Sequence, residues 1–120
     1  MTNKHHIEVG LDKAIALLTA ANNKLGTNFK IYTEADGCCI PAAHMILGKT
    51  SDEAKVSVFF EGHYTDPDWH VSVQCHRTNS YLSIRYCAPY HTLRVADILT
   101  GITSWRSLQR QRKHQPDATF

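Results

Sequence analysis

Two histidines and a cysteine on neighbouring strands, joined by a further histidine, would make a tetrahedral zinc site. His63, His70 and Cys87 lie in strand-like stretches that could bring them into one row, and His91 follows Cys87 by four residues. Asp66 and Asp68, in the loop between, would orient a ligating histidine. The same side chains also offer a cysteine nucleophile beside a histidine base, the pairing of a small Cys/His enzyme. Neither chemistry has a local signature here. Arg85-Tyr86-Cys87-Ala88-Pro89 is no nucleophile elbow, and no glycine-rich stretch supplies oxyanion donors. With eight histidines in 120 residues, such alignments also arise readily by chance.

A second group is better suited to binding than to reaction. Phe59, His76, Tyr81 and Arg85 share one face of the expected strands, and aromatics beside arginine are the composition of interface anchors. The same composition would serve for stacking bases of single-stranded nucleic acid. A third group, Arg106, Arg110, Arg112 and Lys113, gathers near the C-terminus and would hold phosphates. Charge at that position also complements the dipole at a helix C-terminus. The phosphate loop, the dinucleotide fingerprint, H-E-x-x-H, the EF-hand loop and G-x-S-x-G are all missing from the sequence.

The elements that must position these side chains follow from hydrophobic spacing. Lys55–His63, Trp69–His76 and Tyr81–Cys87 alternate apolar and polar residues and read as three consecutive strands. Val56, Val58, Phe60, Trp69, Val71, Val73, Cys75, Leu82, Ile84 and Tyr86 form one face. Centring the second hairpin on Thr78-Asn79 sets Cys75 opposite Leu82 and Val73 opposite Ile84. The corresponding match in the first sets Phe60 opposite Val73. Under that register the other face carries four rows: His63–His70–Cys87, Glu61–Ser72–Arg85, Phe59–Gln74–Ser83 and Ser57–His76–Tyr81. Opposite residues stand about 5 Å apart at Cβ, so each row is a possible constellation.

Ahead of the meander, Leu11, Ala14, Ile15, Leu18 and Leu25 fall on one helical face, with Gly26 placed to end the helix. Phe29–Thr33 is a short strand candidate, Glu34–Gly37 a turn, and Cys38-Cys39-Ile40 a possible return strand. Residues 41–48 are ambiguous: Pro41 suits the first turn of a short helix and Gly48 its end, but the run is too short for periodicity to decide. His44, in apolar surroundings, reads as a satisfied core histidine rather than a ligand. After the meander, Val95, Ile98, Leu99, Ile102 and Trp105 form the stripe of a long helix beginning near Thr92. Gly101 within it costs about 1 kcal/mol of helix propensity relative to alanine.

The expected fold is a single α+β domain over residues 8–114, with residues 1–7 and 115–120 flexible. Its antiparallel sheet has four to five strands, and the N-terminal and C-terminal helices pack on one face. Hydrophobic content of 42% and charged content of 20% fit an ordinary globular chain, and no apolar run approaches the roughly 20 residues that span a bilayer. Four cysteines without C-x-x-C spacing read as reduced thiols in a cytoplasmic protein. The net charge of +2 divides unevenly, with −1 over residues 1–93 and +3 over residues 94–120. The expected function is a small non-enzymatic regulator or inhibitor, possible in a phage or mobile element, that needs no cofactor and binds a protein partner through the open sheet face. Nucleic-acid binding through the basic helix end and the aromatic face is the alternative, and zinc binding or Cys/His catalysis the one after it.

Overall fold

The computed structural model describes residues 2–34, 40–49, 53–61, 68–75, 80–89 and 92–114; at 2–9, 61, 85–89 and 112–114 it describes the backbone alone. Helix α1 (Thr2–Leu25) is followed by five strands, β1 (Ile31–Glu34), β2 (Ala42–Ile46), β3 (Lys55–Glu61), β4 (Asp68–Cys75) and β5 (Ser80–Pro89), then by helix α2 (Val95–His114). The strands form one antiparallel sheet in chain order, β1-β2-β3-β4-β5. Helix α1 contacts β1, β2 and β3, while α2 contacts β3, β4 and β5, and the two helices touch each other. This is the α+β arrangement that the spacing of apolar residues predicts, with a helix from each end of the chain packed against the sheet.

The core lies between the helices and one sheet face. Two cross-strand rows run the width of that face: Ile31–Met45–Val56–Val73–Leu82 and Thr33–Ala43–Val58–Val71–Ile84. Leu11, Ala14, Leu18 and Ala21 of α1, and Ile98 and Ile102 of α2, close over them. Side chains separated by two along a strand share a face, so this single alternation organises the whole layer.

The structure corrects the register. Phe60 stands opposite Trp69 and Val58 opposite Val71, so the first hairpin is displaced by four residues from the expected pairing. Val73 pairs with Leu82 and Val71 with Ile84, a displacement of two in the second hairpin. Even displacements return every side chain to its own face, so apolar alternation fixes the faces and leaves such slips undetermined. The observed register matches the largest inner residues, Phe60 and Trp69. Residues 41–48 do not form a helix: Ala42–Ile46 is the strand β2, and Pro41 lends its carbonyl to the Phe60 N–H at 2.9 Å. Four of its five residues are buried, and a strand covered on both faces shows no alternation to read. Cys38 and Cys39 lie outside the described residues; Cys75 is a buried thiol.

Both helices have defined ends. α1 begins at Thr2, well before its buried stripe, because residues 2–9 contain neither proline nor glycine to stop propagation. At its other end Gly26 takes φ 68°, and the Gly26 and Thr27 amides bond the Asn23 and Asn22 carbonyls at 3.2 and 3.0 Å. α2 opens with a reciprocal cap. The Asp97 carboxylate accepts the Arg94 amide at 2.8 Å, and the Asp97 amide bonds the Arg94 carbonyl at 3.0 Å. The Trp69 indole donates to Thr92 Oγ1 at 3.2 Å, tying β4 to the approach of α2. The Gln109 amide donates to Ser80 Oγ at 2.7 Å, tying the far half of α2 to the start of β5.

Gly101 is buried where α2 crosses the sheet, and a Cβ there would lie 3.4 Å from Val71, 3.6 Å from Val73 and 4.0 Å from Ile84. Those are ordinary contact distances, so a methyl group fits while longer side chains do not. Gly101→Ala is expected to raise stability by up to about 1 kcal/mol through helix propensity. Gly101→Leu is expected to lower it by about 1–3 kcal/mol through overpacking. Urea denaturation of both variants checks the pair.

Candidate functional site

The helix-free face of the sheet is built from the alternate residues of every strand. Its central row is Tyr32–His44–Ser57–Ser72–Ser83, with Glu34–Ala42–Phe59–His70–Arg85 on one side and Ile46–Lys55–Gln74–Tyr81 on the other. These rows replace the expected ones. His70 stands opposite Phe59 and Arg85, so the row His63–His70–Cys87 is not formed. His63, His76 and His91 lie outside the described residues, and for Cys87 and Arg85 only the backbone is described. Among the described residues no three His, Cys, Asp or Glu side chains gather as metal ligands.

The corrected register also redistributes the binding residues. Arg85 moves into the row of Phe59 and His70. Tyr81 joins Lys55 and Gln74 two rows away, about 13 Å along the strand direction. Tyr81 is 57% exposed, with Ile40 one of the two large apolar side chains so open to solvent among the described residues. Arg106 and Arg110 are exposed on α2, in the layer on the opposite side of the sheet. Arg106 and Arg110 thus lie in a different layer from the aromatic face; Arg112 and Lys113 continue the helix, with backbone alone described.

Four rings form a continuous ribbon across β1 to β4. Tyr32 and His44 lie 4.8 Å apart between centroids, His44 and Phe59 meet edge to face at 6.0 Å, and Phe59 stacks on His70 at 4.7 Å. Such spacings fall in the range of favourable ring pairs. The ribbon arises because Phe59 is diagonal to His44 on the pleated surface and directly opposite His70.

Within the ribbon His44 is 3% exposed and engaged at both ring nitrogens. Nδ1 meets Ser57 Oγ at 2.6 Å, and Nε2 meets Glu34 Oε1 at 3.1 Å. The Glu34 carboxylate only accepts, so Nε2 carries the proton and Nδ1 accepts from the Ser57 hydroxyl. Burial lowers the His44 pKa from its ordinary value, Lys55 repels a proton further, and Glu34 opposes both. His44 is therefore neutral at pH 7. Glutamate, histidine and serine in this chain are the parts of nucleophilic catalysis, in which the base draws the hydroxyl proton. Here Ser57 is only 2% exposed, and it lies mid-strand with β2 and β4 paired on either side. The arrangement holds strands β1, β2 and β3 to one another through side chains.

Sequence reasoning placed His44 as a satisfied buried histidine but missed both partners and the face. The available signal was modest: a single histidine between Ala43 and Met45, with a strand-ending acid at Glu34.

The molecule so defined is an α+β protein with a five-stranded antiparallel meander, helices on one side and an aromatic, mixed-charge face on the other. No protein-family model matches the chain, and neither a curated protein nor a solved structure matches it. No helix among the described residues is long and apolar enough to cross a membrane.

Proposed function

We propose that this chain is a small binding protein that engages a protein partner through the helix-free sheet face, occluding or adapting that partner without chemistry of its own. The observation that carries the reading is the set of half-buried rings Tyr32, Phe59 and His70, packed about the buried His44 on a face neither helix covers, with Tyr81 exposed at its far side. Rings held in place by one another lose little side-chain entropy on binding, which is what makes aromatic residues effective anchors. Charge on the face is mixed: Lys55 shares it with Glu34 and Asp68. That balance suits a protein surface better than a polyphosphate backbone.

The test is capture from host lysate by the untagged protein, compared with Tyr81→Ala and His70→Ala. Loss of an anchor costs about 2 kcal/mol, so each variant is expected to weaken capture by tenfold or more while keeping its fold. Capture that survives both substitutions contradicts the reading. A captured species that is nucleic acid, released steeply by salt, contradicts it as well.

A further inference from the structure

The two edges of the sheet are unlike each other. β1 is four residues long, with Lys30 before it and Glu34 at its end, the short and charged form in which edges resist further pairing. β5 is ten residues long, and among the described residues its only strand neighbour is β4. Its regular part runs from Ser80 to Arg85; between Arg85 and Pro89 it carries two more residues than β4 does opposite, and the ladder is interrupted. That regular part, Ser80-Tyr81-Leu82-Ser83-Ile84-Arg85, has no proline, no lysine and a single charge. Leu82 and Ile84 end the two inner rows half-buried, where the rows farther inside are closed.

We infer that the β5 edge pairs with the β5 edge of a second copy of this chain, extending the sheet across a two-fold axis. The sequence of the edge is complementary to itself. An antiparallel pairing centred on Ser83 sets Leu82 opposite Ile84 of the second copy, so each inner row continues into an apolar neighbour. It sets Tyr81 opposite the Arg85 position of the second copy, where no like charge faces it. It sets Ser83 opposite itself, two small hydroxyls with no charge between them. Centring the pair on Arg85 instead would oppose two like charges, which is destabilising across strands. Pairing about Ser83 keeps residues of equal parity opposite, so both helix layers fall on the same side and the open faces join into one. The contact uses the edge of the sheet, and it stands independently of what the face binds.

Charge at Ser83 tests the pairing, because this residue is exposed and its replacement leaves the monomer core untouched. Light scattering on the eluting wild-type protein is expected to give twice the chain mass at micromolar concentration. Ser83→Lys and Ser83→Glu, each alone, place like charges opposite and are expected to raise the dissociation constant at least tenfold. An equimolar mixture of the two is expected to restore the doubled mass, a result that misfolding could not produce. A wild-type protein of single-chain mass throughout the micromolar range overturns the proposal, as does a dimer indifferent to both substitutions.

Discussion

Asn22→Ala is expected to lose about 2–4 kcal/mol of stability, from the summed cost of leaving several partly buried polar groups without partners. Asn22 is 7% exposed in the last turn of α1 and serves the chain on both sides of its side-chain amide. Its Nδ2 donates to the Phe29 carbonyl at 2.9 Å, and its Oδ1 accepts the Phe29 amide at 3.0 Å and the Thr27 hydroxyl at 2.8 Å. The side chain thus takes the place of a strand neighbour for Phe29 and fixes where the chain turns from helix into sheet. Alanine removes all three bonds at once. Asn22→Asp keeps the acceptor but sets a carboxylate oxygen against the Phe29 carbonyl, so it is expected to be no better than alanine. Thr27→Val removes only the hydroxyl's contacts, to Asn22 Oδ1 and more weakly to the Asn22 carbonyl, and is expected to cost about 1 kcal/mol. Urea denaturation with unchanged slope is the measurement. Equal stability of Asn22→Ala and wild type would show that water replaces the amide at no cost.

The second large effect is on acid stability. A histidine whose folded pKa lies below its unfolded value binds its proton less readily in the native state. Its stabilising contribution is complete above the unfolded pKa, about 6.5, and is lost as pH falls from there toward the lower folded value. His44 is such a group, because burial and then Lys55 lower its pKa by more than Glu34 raises it. Within that window one proton changes stability by about 1.4 kcal/mol per pH unit. The wild type is therefore expected to lose stability faster below pH 6.5 than His44→Gln does, although the variant starts lower at pH 7.5. Comparing the two cancels the contribution of the other seven histidines. A titration of the His44 ring by NMR locates the window directly, and a midpoint above 6.5 would contradict the sign.

The parts of the fold legible in the sequence are those written in periodicity. Leu11, Ala14 and Leu18 mark α1, Ile98 and Ile102 mark α2, and the alternation of Val56–Phe60, Trp69–Cys75 and Leu82–Ile84 marks strands and faces together. Register was not legible, because a slip of two or four leaves that alternation unchanged. It rests on fitting Phe60 to Trp69 across the hairpin, and size matching between strands leaves no local trace. β2 was hidden for a related reason, as burial of Ala42, Ala43, His44 and Met45 removes any contrast between its faces. The site suffered from both. Glu34, His44 and Ser57 come from three strands, and their meeting depends on the pairing of a strand whose type was ambiguous and a hairpin whose ends could not be placed. The expected pairing of His70 with His63 and Cys87, by contrast, belonged to one choice of register, and Phe59 and Arg85 stand opposite His70 instead.

We propose the helix-free face as the surface that meets a partner. Oxidative footprinting of tyrosines in the captured complex tests this most directly, since Tyr81 is 57% exposed in the chain alone. The account predicts that Tyr81 and Tyr32 label less in the complex than in the free protein, while Trp105 on α2 labels equally in both. Unchanged labelling of both tyrosines with protection confined to α2 would contradict it, and would move the interface to the helix layer.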